Sequence, residues 1–304
     1  MEIVNTNLPV TGALVTQYIE ELVKAYPFMR TELLGRTAFQ RPIRTLVWGS
    51  GPRKVLFTAA HHANEWITAL VLLKYAEEFA KAVDTGGNIG DVDAGSLAGQ
   101  VTIHMIPLVD PDGVDLVNGA VDLNQYAIAR RIADKYPSIP FPEGWKANLL
   151  GTDLNLNYPA QWEQAKRIKY GLGYVGPAPR DFVGRRPLDQ METQILERYT
   201  RQLDPDLMLA YHSQGEEIYW QFGEIQVEGA EELGRELARV SGYKLAKPAF
   251  NSSFAGFKDW FIQEFRRPGY TVEVGKGGNP LPLSQFDAIY QANVPLMNTA
   301  AAGL

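Results

Sequence analysis

Residues 54–66 read Lys-Val-Leu-Phe-Thr-Ala-Ala-His-His-Ala-Asn-Glu-Trp. An apolar run from Lys54 to Ala60 has the length and composition of a buried strand. It runs into His61 and His62, and a helical pattern from Trp66 to Ala82 follows. A strand that leads through a polar turn into a long helix is the unit from which parallel α/β sheets are built. Upstream, Ile43 to Trp48 reads as another strand, separated from this one by the turn Gly49-Ser50-Gly51-Pro52. Downstream, Val101–Pro107, Leu207–Tyr211 and Tyr270–Val274 read as further strands, and Val109–Gly113 as a turn. Helical spacing recurs at Val15–Tyr26, Gln190–Leu203, Gly229–Val240, Phe257–Phe265 and Pro282–Ala301. The expected fold is α/β, with a central mixed, largely parallel twisted sheet flanked by helices. Residues 1–304 are expected to form one catalytic domain. Asp84–Gly99 is expected to be a surface loop, and Asp115–Pro159 irregular.

Composition narrows the function. The chain has 304 residues, 45% hydrophobic and 21% charged, which suits a globular protein with a substantial core. Its formal charge of −6 and lack of basic runs argue against nucleic acid or an anionic membrane as partner. There is no cysteine, so thiolate metal sites, disulfides and Cys nucleophiles are excluded together. The N-terminal residues have no basic and apolar signal-peptide pattern, and no apolar run approaches the roughly 18 residues of a membrane span. A cytoplasmic location is the expectation.

Imidazole chemistry must come from four histidines. His62 and Glu65 lie three apart where a strand meets a helix, a spacing that lets both point at one centre. Alone the pair is weak: a buried histidine and a carboxylate in a helix's first turn would look the same. His212 also ends an apolar strand, and the crevice of an α/β sheet opens at the carboxyl ends of its strands. Two histidines and one carboxylate suit zinc and leave a position for water. On the strand Tyr270–Val274, alternation puts Glu273 on a face of an otherwise apolar segment. A general base beside an activated water would explain it there, and so would a structural ion pair.

His62-Ala63-Asn64-Glu65-Trp66, then Tyr211-His212-Ser213, then Thr271-Val272-Glu273-Val274 resemble the zinc carboxypeptidases. The resemblance runs from about Leu34 into the C-terminal helix. Trp145–Asn148, Gly151–Pro159, His212–Trp220, Lys258–Trp260 and Gly275–Pro282 are similar to one bacterial branch, the γ-D-glutamyl-L-diamino acid endopeptidases of peptidoglycan. The resemblance implies one Zn²⁺ held by His62, Glu65 and His212, and Glu273 as general base. It implies Asp153 as the carboxylate that orients the first zinc histidine. Lys146 falls where carboxypeptidases use an arginine to steady the oxyanion, Asn155 where an asparagine helps bind the terminal carboxylate, and Ser213 beside the substrate. His61 is a neighbour rather than a ligand, and His104 matches nothing.

The departures from the family pattern bear on specificity. The segment Asn155-Leu156-Asn157 replaces Asn-Arg-Asn, and leucine cannot grip a carboxylate. The capping tyrosine has no match; its register lands on Asn251. Lys258 falls at the specificity pocket, where a cation suits a side chain bearing a carboxylate. The expected activity is zinc-dependent hydrolysis of the γ-D-glutamyl bond to meso-diaminopimelate or lysine in muropeptides. A carboxypeptidase or amidase acting on ordinary peptides is the alternative.

Overall fold

The computed structural model describes residues 2–303. Among these residues ten strands run in chain order: β1 Arg30–Arg36, β2 Pro42–Gly49, β3 Arg53–Ala59, β4 Asn88–Ile89, β5 Val92–Asp93, β6 Val101–Ile106, β7 Leu207–Ser213, β8 Glu217–Tyr219, β9 Lys244–Ala246 and β10 Gly269–Val274. Eight of them form one sheet in the order β1-β2-β6-β3-β7-β10-β8-β9. The central strands β6, β3, β7 and β10 are mutually parallel, and antiparallel pairs join β1 to β2, β2 to β6 and β10 to β8. This is the mixed, largely parallel sheet expected from the strand–helix alternation. The strands β2 and β3 do not pair with each other, because β6 inserts between them.

The central strands read as continuous apolar runs because both faces are covered. Val55, Phe57, Leu209 and Tyr211 enter the core on one face; Leu56, Met208 and Ala210 enter the core on the other. The helices Ile67–Thr85 and Phe286–Ala302 contribute to the first core, and Met191–Leu203 and Phe257–Phe265 to the second. Helix Ile67–Thr85 is apolar on most of its circumference, and most of its residues are buried.

Two stretches are more regular than their composition suggests. The irregular region after Asp115 contains helix Leu123–Ala133, which Asp122 starts through a capping box with Gln125. The turn at Val109–Gly113 is the start of helix Pro111–Val117, with Asp110 accepting from the Gly113 N–H and Pro111 opening the first turn. The supposed loop Asp84–Gly99 holds the β4–β5 hairpin and helix Ala94–Gln100, capped by Asp93. In each case capping outweighs Asn, Asp and Gly content. No helix among the described residues is long and apolar enough to cross a membrane.

Candidate metal centre and cleft

Strand register brings the site together. Ala59 at the end of β3 pairs with Tyr211 on β7, and His212 on β7 pairs with Glu273 on β10. The chain leaving β3 therefore delivers His62 beside His212, and β10 delivers Glu273 to the same rim. A short 3₁₀ turn, Ala63–Glu65, swings Glu65 back toward both histidines.

The three side chains are buried and converge on one point. His62 Nδ1 lies 3.0 Å from Glu65 Oε1, His212 Nδ1 lies 2.9 Å from Glu65 Oε2, and the two Nδ1 atoms are 3.0 Å apart. Ligands at zinc distances in a tetrahedron are about 3.3 Å from one another, so this donor set fits a zinc ion without rearrangement. The opposite nitrogen of His62 is 3.0 Å from Asp153 Oδ1, which fixes the ring with Nδ1 facing the centre. Burial alone would raise the Asp153 carboxyl, but the His62 ring and the Lys146 charge hold it well below the ordinary range. His61 stays outside: it is buried against Tyr158 and stacks on His212. His104 sits on β6 and bonds the Tyr199 hydroxyl.

Lys146 and Asp153 reach the centre on a segment pinned from two sides. The Lys146 carbonyl accepts from Ala63 N–H, and its own N–H donates to Pro179 carbonyl. The Asp153 N–H donates to Phe182 carbonyl, and the Asp181 N–H donates to Asp153 Oδ2. Between them Gly151 turns with φ 81°, its α-carbon pressed so close to Ala178 that an added Cβ would lie 2.9 Å from the Ala178 nitrogen. Lys146 Nζ stands 3.7 Å from Glu65 Oε1 and faces the cleft. Although burial works against its charge, Glu65 and Asp153 keep it protonated.

Two cavities meet at this centre, of about 250 and 560 Å³. Asn155, Leu156 and Lys258 border the first; Ser213, Gln214 and Asn279 border the second. Lys146, Arg180, Tyr219 and Glu273 border both and mark the waist between them. Burial, then the neighbouring Glu65 charge, push the Glu273 carboxyl up to about 8 against Lys146 and His62.

Lys258 does not extend into water: it is buried, paired with Asp259 at 2.6 Å, and donates to the Gln221 carbonyl. Leu156 packs with Trp162, Ala165, Val183 and Ala255 at the cavity wall. Asn155 uses its side-chain oxygen to accept from the Phe257 N–H. The Ser213 N–H donates to Glu65, and its hydroxyl donates to Asn279. Two cleft residues carry no sequence signal: Arg180 lies outside helix and strand, and Lys169 lies on the mostly polar helix Trp162–Gly171, where a lysine reads as solvated.

The zinc carboxypeptidase family model matches residues 15–295. The chain belongs to the zinc carboxypeptidase family. It is a hydrolase of the zinc metallopeptidase class. As a zinc carboxypeptidase relative it is 39% identical, over 273 residues, to gamma-D-glutamyl-L-diamino acid endopeptidase 1 of Lysinibacillus sphaericus, covering 90% of this chain and 67% of that protein. The fold is similar to carboxypeptidase A from Helicoverpa armigera, with a TM-score of 0.70, 19% identity, and coverage of 98% of this chain and 75% of that one. It is also similar to the murein-tripeptide amidase from Escherichia coli O157, with a TM-score of 0.55, 19% identity, and coverage of 88% and 91%.

Proposed function

We propose that this zinc peptidase hydrolyses the bond between the γ-carbonyl of D-glutamate and a diamino acid, meso-diaminopimelate or lysine, in peptidoglycan peptides. The observation that carries the reading is the placement of Glu273 and Lys146 at the waist of a two-cavity cleft, against the His62–Glu65–His212 donor set. The substrate class rests on the similarity to the Lysinibacillus endopeptidase and on Leu156, which leaves the first cavity without the arginine of an exopeptidase.

His62, Glu65 and His212 would hold the zinc ion, which when bound would supply Lewis acidity and lower the pKa of water to about 7. Glu273 accepts the proton of the attacking water and returns it to the leaving amine as the C–N bond breaks. Lys146 offsets the charge that develops on the scissile carbonyl oxygen, as a point charge without arginine's fork. Asp153 holds His62 in the tautomer that presents Nδ1. Asn155 and Lys258 form the wall that receives the diamino acid, and Ser213 supports the opposite wall.

The unit we propose is residues 1–304 as a single catalytic domain, supported by the one sheet that carries every site strand. We also propose soluble muropeptides in the cytoplasm as its substrates; the net charge of −6 disfavours nucleic acid and anionic surfaces.

Incubating the protein with L-Ala-γ-D-Glu-meso-diaminopimelate and with a blocked C-terminal dipeptide tests the reading. The tripeptide is expected to release L-Ala-D-Glu, and the dipeptide to be cleaved far more slowly. Dipeptide cleavage equal to or faster than tripeptide cleavage would make the protein a general carboxypeptidase.

A further inference from the structure

A γ-linked D-glutamyl residue differs from an ordinary acyl residue in one charged group. Its α-carboxylate is free and lies four bonds from the scissile carbonyl carbon, roughly 5 Å when extended. An enzyme that reads this linkage needs a cation at that distance on the acyl side of the bond. This inference rests on the function proposed above.

The two cavities can be told apart. Asn155 and Leu156, which match the residues facing the leaving side in carboxypeptidases, border the first cavity only. The second cavity therefore takes the glutamyl side. Its cationic side chains are Lys146 and Arg180, both at the waist. Lys146 stands beside Glu65 at the reacting centre. The other cations of the cleft are committed within the first cavity: Lys169 to Asp181 at 2.5 Å, and Lys258 to Asp259 at 2.6 Å.

Arg180 is different. Only its Nε is used, donating to Asp181 Oδ2 at 2.9 Å. Its terminal Nη1 and Nη2 have no protein acceptor among the described residues, and the side chain is 44% exposed. The base of the side chain is fixed, because Pro179 and Asp181 on either side bond the Lys146 and Asp153 segment. A guanidinium held at its Nε, with its outer edge free, is suited to a bidentate carboxylate.

We propose that Arg180 grips the α-carboxylate of the D-glutamyl residue and is the side chain by which this enzyme reads a γ-linkage. The leaving-side arginine of a carboxypeptidase is absent at Leu156; Arg180 places carboxylate recognition on the acyl side.

The test compares two tripeptides, L-Ala-γ-D-Glu-meso-diaminopimelate and its analogue in which the glutamyl α-carboxylate is the neutral amide. Zinc-saturated wild type should favour the acid by about 10- to 100-fold in kcat/KM, the worth of hydrogen bonds to a charged group. In Arg180→Gln that ratio should fall to near unity, with the loss falling mainly on the acid substrate. Arg180→Lys, which keeps charge but not the fork, should recover part of the ratio. A variant ratio equal to wild type, or a wild-type ratio near unity, overturns the assignment of Arg180. Equal losses on both substrates also overturn it and make Arg180 a support for the Asp153 segment. If wild type cleaves neither tripeptide but cleaves ordinary peptides, the functional reading falls, and this assignment falls with it.

Discussion

Replacing Glu192 by Gln should make the protein more stable at pH 8 and no more stable at pH 4.5. Glu192 lies in the first turn of helix Met191–Leu203, where a carboxylate is normally favoured by the helix dipole. Here it is 2% exposed, and burial pushes its carboxyl from the ordinary 4.5 up to about 7, with the Asp112 charge adding to the rise. Its own backbone N–H and the Asn148 amide only partly offset this. Between pH 4.5 and about 7 the folded chain holds a proton that the unfolded chain has released. Stability from this group therefore falls as pH rises through that window and levels off above it. A shift of this size corresponds to about 3 kcal/mol at pH 8.

Glutamine matches the shape of the protonated acid and carries no charge, so it removes the penalty without leaving a hole. The measurement is urea unfolding of the zinc-saturated wild type and variant across pH 4.5–8.5. The difference in unfolding free energy should grow from near zero to the order of 3 kcal/mol in favour of the variant. Asp110 must be included. It is buried, its Oδ2 has no partner, and its carboxyl is raised well above the ordinary range by burial and then by Glu192. The Glu192 charge therefore also disfavours ionisation of Asp110. Asp110→Asn keeps the cap to Gly113, and the double variant should show a smaller fall in stability with rising pH than Glu192→Gln alone. A difference that does not vary with pH, or a variant less stable at pH 8, would refute the placement of a protonated Glu192 beneath the Lys146 segment.

Three further outcomes are expected. Purified protein should contain about one zinc per chain, as one three-ligand site implies, and His62→Ala or His212→Ala should lose most of it by metal analysis; full occupancy in both variants would remove them from the ligand set. Glu273→Gln should retain zinc and lose on the order of 10²–10⁴ in kcat, and wild-type rates would assign the proton transfer elsewhere. Lys146→Ala should lower kcat more than it raises KM, because the charge acts as the carbonyl oxygen becomes anionic; an effect on KM alone would make Lys146 a ground-state contact.

The parts of the site legible in the sequence are those carried by regular elements. His62, His212 and Glu273 each sit at or near the end of an apolar run, and in a parallel sheet such ends line one edge. The register that brings His212 beside Glu273 follows once the two runs are recognised as strands. Arg180 and Lys169 were not legible. Arg180 lies in a stretch without helix or strand, tied to the site by backbone hydrogen bonds to a segment about thirty residues earlier. No periodicity reports a contact of that kind. Lys169 lies on a helix, Trp162–Gly171, of mostly polar character, where a lysine reads as solvated. Edge strand β1 leaves no clear strand signal, because its side chains are mostly exposed and do not alternate cleanly. The helix Leu123–Ala133 had a usable signal, the Asp122 to Gln125 capping spacing, which the Asn and Gly around it obscured.

Leu156 is more than a missing arginine. It is 8% exposed and fills a small apolar cluster with Trp162, Ala165, Val183 and Ala255 at the edge of the first cavity. A guanidinium at that position would have to displace this cluster or bury its charge against it, and a buried charge without a partner is costly. The cations on the same side already have partners in Asp181 and Asp259, so a substrate carboxylate there would compete with ion pairs that are already made. At the waist the balance reverses. Lys146 faces the cleft, and Arg180 presents two terminal nitrogens that no protein group among the described residues uses. The wall that holds the free carboxylate of a carboxypeptidase substrate is apolar or already ion-paired in this chain, while Arg180, held to Asp181 through Nε, keeps its outer edge open at the waist. A peptide that carries a carboxylate on the acyl side of the scissile bond, besides those of its leaving diamino acid, is complementary to that distribution; one with a carboxylate on the leaving side alone makes no use of Arg180.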